Sequence, residues 1–111
     1  TERQFVAELI REQALFMLKD EVPHGIGVEV LSMKTRDDDM VEIYANLFCE
    51  REAHKRIIIG RQGSMLGAIG RKAREGAEKL LGQKVNLQLW VKVRPDWRNS
   101  PDDLKTLGYT E

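Results

Sequence analysis

The residues best placed to do chemistry are Gly60 and Gly63, with Arg61 and Gln62 between them, set directly after the aliphatic run Ile57-Ile58-Ile59. Two glycines let a backbone approach another molecule closely, because neither carries a Cβ and both adopt φ > 0 readily. The segment after them, Ser64 to Leu81, has helical spacing, so its unpaired N–H groups and the positive end of its dipole point back at the loop. A phosphate is the natural guest of such a loop. As a bare turn the same four residues need no ligand, and the motif alone does not separate the two readings.

Charge bears on that choice. The chain has no net charge, which argues against a nucleic-acid partner. Its distribution argues the other way: between Arg51 and Arg74 stand seven basic residues (Arg51, Lys55, Arg56, Arg61, Arg71, Lys72, Arg74) against Glu52, a local +6 balanced by −6 over the remainder. The positive charge therefore brackets the glycine loop, although an ordinary solvated face can also be basic.

Other chemistries find little support. The single cysteine, Cys49, excludes an internal disulfide and reads as a small buried apolar residue, and with His24 and His54 it gives no zinc-ligand spacing. His54 beside Lys55 reads as a surface residue and makes no convincing nucleophile–base pair with Cys49. The run Asp37-Asp38-Asp39 lacks the spacing of a calcium loop and reads as a solvated hairpin tip. No paired carboxylates sit in an apolar setting, and no G-x-x-x-x-G-K-[ST] run exists to cradle nucleotide phosphates. With 111 residues, 41% hydrophobic and 32% charged, the chain suits one compact domain with its own core. No apolar run reaches the ~20 residues of a membrane span, nor do the first residues read as a signal peptide, so a cytosolic domain is expected.

The elements that must position the loop follow from periodicity. Glu2 to Glu21 carries Phe5, Val6, Leu9, Ile10, Ala14, Met17 and Leu18 at spacings of three and four, an amphipathic helix ended by Val22-Pro23-His24-Gly25. Ile26 to Lys34 alternates as a strand, and so does Val41 to Glu50; the acidic turn between them makes an antiparallel hairpin. Lys55 to Ile59 is too short to classify and is either a helical turn or a strand end. Ser64 to Leu81 is a second long helix, capped by Gly63 or Ser64 and closed by Gly82. Gly67, Gly70 and Gly76 inside it each cost on the order of 1 kcal/mol, which implies close approach of a packed element or a bound strand. Lys84 to Arg94 is a third strand, parallel to the second because a long helical connection separates them. Pro95 to Asn99 leaves the sheet, and Ser100-Pro101 starts a short helix through Leu107. The expected fold is α+β, a three-stranded mixed sheet with helices on one face, from whose other face Tyr44, Phe48 and Trp90 project.

An Ile-Gly-x-x-Gly loop between two helical segments after a second strand resembles a type II KH domain. More specifically, Ala7-Glu8-Leu9-Ile10-Arg11-Glu12, Glu21-Val22-Pro23, Ile69-Gly70, Leu89-Trp90-Val91-Lys92-Val93-Arg94, Asp96-Trp97-Arg98 and Leu107-Gly108-Tyr109 resemble the C-terminal KH domain of the bacterial Era GTPase family across essentially the whole chain. The resemblance implies a single KH domain over 1–111 whose N-terminal GTPase domain is absent. It further implies binding of single-stranded RNA at the 3′ end of 16S ribosomal RNA in the small ribosomal subunit, with the GTPase domain as a second partner. No enzymatic activity or cofactor is expected of this chain, GTP and Mg belonging to the missing domain. The isolated domain should be a monomer, cytoplasmic and, as in the family, peripheral at the inner face of the membrane. The implied RNA contacts are Lys55, Arg56, Ile59, Gly60, Arg61, Gln62, Gly63, Ser64, Met65, Ile69, Arg71 and Lys72, with base choice made in a groove between the helix after the loop and the second strand. There Ile58, Ile59, Met65 and Ile69 either support base faces or are plain core. One departure stands out: the family commonly has a lysine, often with an extra glycine, where this chain has Arg61-Gln62. The competing reading is a protein-interaction module whose outer aromatics and acidic hairpin dock onto a GTPase domain or ribosomal protein.

Overall fold

The computed structural model describes residues 1–18, 21–22 and 25–95. The expected helix exit at Pro23-His24 and the C-terminal helix through Leu107 lie outside the described residues. The first helix, α1 (Glu2–Leu18), opens with the Gln4 N–H donating to Thr1 Oγ1 at 3.2 Å, an N-terminal cap. Beyond it the Leu18 carbonyl accepts the N–H groups of Glu21 and Val22 at 2.9 and 2.8 Å. Only Val6, Ile10, Ala14 and Leu18 are fully buried on it, a strict four-residue stripe. Phe5, expected on the core face, is 62% exposed.

Strands β1 (Gly27–Thr35) and β2 (Val41–Cys49) pair antiparallel, and β3 (Val85–Val93) lies parallel to β2, in the spatial order β1-β2-β3. β3 is thus an edge strand. A bulge between Val30 and Ser32 lets Leu31 drop out of register without turning the rest of β1 inside out. The segment that periodicity left open is a helix, α2 (Glu52–Ile59), and the long helix α3 (Ser64–Leu81) has the expected limits. All three helices pack on one face of the sheet, so the core is a single layer: Val6 and Ile10 from α1, Ile58 from α2, Ile69, Ala73 and Ala77 from α3, and Val28, Ile43, Ala45, Leu47 and Val91 from the strands. Cys49 belongs to it; burial pushes its thiol above the usual cysteine range, and Sγ sits 3.6 Å from the Arg51 carbonyl.

Phe48 corrects the alternation. It points away from the helices as expected, yet it is 2% exposed, with the Arg94 guanidinium 4.7 Å from its ring centroid. Tyr44 and Trp90 do share the outer face, with ring centroids 5.8 Å apart and edge to face.

Candidate nucleic-acid interface

Gly60 ends α2 and changes the chain's direction. Its N–H donates to the Arg56 carbonyl at 2.9 Å, and its φ of 75° with ψ of 177° is open to glycine but not to residues with a Cβ. A Cβ there would also stand 2.7 Å from Met65 Cβ and 2.8 Å from its backbone nitrogen. The loop then makes one 3₁₀ turn, closed by the Gly63 N–H to the Gly60 carbonyl at 3.2 Å. Gln62 (φ 55°, ψ 29°) and Gly63 (φ 78°, ψ 10°) are both left-handed, and Gly63 is the N-cap of α3. Among the described residues nothing lies within 4 Å of the point where a Gly63 side chain would begin. The two glycines therefore act differently: Gly60 admits the start of α3, whereas Gly63 leaves the outside of the loop bare.

No side chain caps the N-terminus of α3, and no acid stands in its first turn. Nothing in its own first turn offsets its positive end. Arg61 and Gln62 are exposed, as are Arg56, Arg71 and Lys72, while Lys55 is half-buried. Among the described residues, Lys55, Arg56, Arg61 and Arg71 make no ion pair, and Lys72 meets Glu75 only at 3.9 Å across solvent, a contact of little worth. Ser64 is the exposed first residue of α3, and its N–H turns back to the Arg61 carbonyl.

From the loop an open cleft of about 500 Å³ runs along α3. One wall is α3 with its N-cap: Gly63, then Leu66, Gly67, Gly70, Arg71 and Arg74. The other is Leu87 and Leu89 of β3, so the groove expected beside the second strand lies beside the third. The reason is topological, because the crossover through α2 and α3 sets α3 against β3 at the sheet edge. Glu78 braces this wall: its carboxylate accepts the Val85 N–H at 2.9 Å and the Arg74 guanidinium at 3.2 Å, joining the last turns of α3 to the start of β3. These bonds hold Glu78 below the usual carboxylate range, the backbone hydrogen bond foremost.

Several residues expected at the interface are wholly or partly buried. Ile69 and Ile58 have no exposed surface and belong to the core. Met65 is half-buried under Gly60, and Ile59 packs against the core edge. His54, expected at the surface, is half-buried, and its enclosed Nδ1 has no hydrogen-bond partner among the described residues. Leu66, Arg74, Leu87 and Leu89 were not expected to line a cleft, whereas Gly67 and Gly70 were expected to admit either a packed element or a bound strand. The signal for them was present: positions 63, 67, 70, 71 and 74 fall on one helical stripe.

The KH domain family matches residues 21–98, a stretch that holds the hairpin, both helices around the loop and β3. The chain belongs to the KH domain family. This KH domain is 57% identical over 108 residues to the GTPase Era of Ruminiclostridium cellulolyticum, covering 97% of the chain and 36% of that protein. It is 50% identical over 111 residues to the GTPase Era of Clostridioides difficile, covering 37% of it. Two solved structures superpose on the whole chain with a TM-score of 0.94 and 40% identity: an Aquifex aeolicus Era variant bound to GDP.AlF4-, and Era in complex with MgGDPNP and nucleotides 1506–1542 of 16S ribosomal RNA. The KH domain spans 38% and 37% of those chains, so the guanine nucleotides named there belong to larger proteins. Among the described residues no helix is long and apolar enough to cross a membrane.

Proposed function

We propose that this KH domain binds single-stranded RNA, with the sugar-phosphate chain held on the Gly60–Gly63 loop and the bases lying in the cleft between α3 and β3. One observation carries this reading: the bare outer side of the loop at Gly63 is continuous with a cleft edged by Arg71 and Arg74. A KH loop of this form clamps about four nucleotides. Gly60 and Gly63 bring the backbone to the phosphates, the α3 N-terminus faces them, and Arg61, Arg56, Lys55, Arg71 and Lys72 supply charge that positions without reading sequence. Arg61 offers a phosphate a forked donor, and Gln62 donates neutral hydrogen bonds in place of a second charge. Leu66, Leu87 and Leu89 support base faces, and backbone groups of the edge strand β3 are free to meet Watson–Crick edges. Gly67 and Gly70 keep the α3 wall low enough for bases to enter.

The RNA is proposed to be the 3′ end of 16S ribosomal RNA, supported by the complex reported for the superposing Era. The parent protein would then carry a GTPase domain that senses GTP with Mg, and the domain would act in the cytoplasm, where the small ribosomal subunit is assembled.

The test replaces Gly60 and Gly63, or Arg61 and Gln62, by aspartates and titrates a short RNA ending like the 16S 3′ terminus. Binding should be lost in variants that remain folded, and undiminished binding would end the clamp reading. With about four phosphates neutralised, log affinity should fall against log salt with a slope of about −3. A protein partner retained by the same variants after nuclease treatment would favour the interaction-module reading instead.

A further inference from the structure

The face of the sheet turned away from α1, α2 and α3 has the composition of a base-stacking platform. Trp90 is 42% exposed, and its ring meets Tyr44 edge to face. Tyr44 is locked in turn, since its hydroxyl donates to Glu42 at 2.6 Å; that hydrogen bond, and then the carboxylate's charge, push the phenol above its usual range and keep it protonated. Asn46 lies directly opposite Trp90 in the sheet register, while Gln88 and Lys92 stand two positions to either side of it on the same strand and face. Of the nearby acids, Glu42 is also engaged by Arg36 at 3.5 Å, and Glu29 sits on the far strand. An aromatic pair edged by amides and a cation is too polar for an obligate protein interface, where charged groups are depleted at the core. It suits a nucleotide, because every base offers a π-face to the ring and hydrogen-bonding groups to the amides.

The platform also adjoins the cleft. Leu87 and Leu89 of β3 face the cleft, Gln88 and Trp90 of the same strand face outward, and β3 is the sheet edge. A strand leaving the cleft needs only to cross one edge strand to reach Trp90.

We propose that Trp90, backed by Tyr44, stacks on a base of the single-stranded RNA where it leaves the cleft, making the outer sheet face a second contact on the same RNA. This rests on the cleft reading given above. The expected behaviour depends on RNA length. Trp90→Ala should leave the affinity for a four-nucleotide RNA unchanged and weaken a ten-nucleotide RNA by about tenfold, within the range of about five- to 150-fold that one stacked base is worth. Trp90→Phe, which keeps a ring, should restore most of the loss. Equal losses at both lengths, no loss at either, or a Phe variant as poor as the Ala variant would overturn the proposal. So would a Trp90→Ala variant that binds both RNAs normally but loses a protein partner. Failure of the cleft reading looks different: Gly63→Asp would then keep the four-nucleotide RNA, whatever Trp90 does for the longer one.

Discussion

Among the described residues, two turns hold a residue other than glycine at positive φ: Asp39 at 66° in the hairpin and Gln62 at 55° before α3. In the hairpin the polar groups close on one another. Arg36 pairs with Asp38 at 3.0 Å and with Glu42 at 3.5 Å, Asp38 accepts the Met40 N–H at 3.1 Å, and the Arg36 N–H meets the Met40 carbonyl at 2.8 Å. In the loop only the backbone closes, and Arg61 and Gln62 extend into solvent. A left-handed residue costs about 1–2 kcal/mol in either turn. The hairpin recovers part of that internally, whereas the loop leaves its charge for a ligand. Left-handed geometry therefore does not mark a site by itself; the uncommitted charge around it does.

The largest break in this comparison comes at Gly60. Gly60→Ala meets both a strained φ and a 2.7 Å contact with Met65 Cβ, and should cost about 3 kcal/mol in chemical denaturation while also disordering the loop. Gly63→Ala meets only the strained φ and should cost about 1 kcal/mol, leaving α3 intact. Equal costs would mean that the loop is not seated against α3 as described.

The same contrast explains what the sequence made legible. Strict alternation in β2 and β3, and the apolar face of α3 with glycine at both ends, announce themselves because each side of these elements meets a different environment. The long helical connection between β2 and β3 implies by itself that they run parallel. Legibility failed where a residue's role depends on which element stands opposite. Leu87 and Leu89 carry the same inward pattern as Val85 and Val91, yet they border an open cleft because α3 presents Gly67 and Gly70 to them. Ile69 has the apolar character of a base support, but its place on α3 turns it wholly into the core. Phe48 alternates outward and is nonetheless buried, beneath the guanidinium of Arg94.

Gly67 sharpens that point with an effect of about 1 kcal/mol and opposite signs in two assays. Packing was one explanation for the glycines of α3, but among the described residues nothing lies within 4 Å of a side chain added at Gly67, and the nearest atoms at Gly70 and Gly76, Leu89 Cδ1 and Leu9 Cδ2, are at ordinary contact distances of 3.6 and 3.4 Å. Gly67→Ala should therefore stabilise the fold by up to about 1 kcal/mol through helix propensity. Its methyl group would stand in the cleft, so affinity for a short single-stranded RNA should fall. A variant both more stable and equally good at binding would remove Gly67 from the site.

Charge substitutions come next. Arg61→Ala should change stability by less than about 0.5 kcal/mol and flatten the salt dependence of RNA binding by about 0.7, the share of one phosphate contact. Arg36→Ala should do the reverse, lowering stability by up to about 1 kcal/mol through its lost ion pairs and leaving the salt slope alone. Parallel titrations at several ionic strengths compare the two turns directly, and a slope that responds to Arg36 would show that the hairpin also touches RNA.

Glu78 should give the smallest effect, and one confined to acid. Its carboxylate is held below the usual range by the Val85 N–H and by Arg74, so its contribution to stability is complete above the unfolded value near 4.5 and disappears as pH falls through the lower folded value. Glu78→Gln keeps an oxygen acceptor for Val85 but loses the attraction to Arg74. The variant should be slightly less stable than the parent at neutral pH, and the two denaturation midpoints should converge once pH has fallen through the lowered folded value. Because Arg74 lines the cleft, the same loss should loosen its position there and weaken RNA binding at neutral pH by less than the Arg61 change does. A stability difference that persists unchanged into acid would mean that the hydrogen bond to Val85, and not the charge on Glu78, braces the cleft wall.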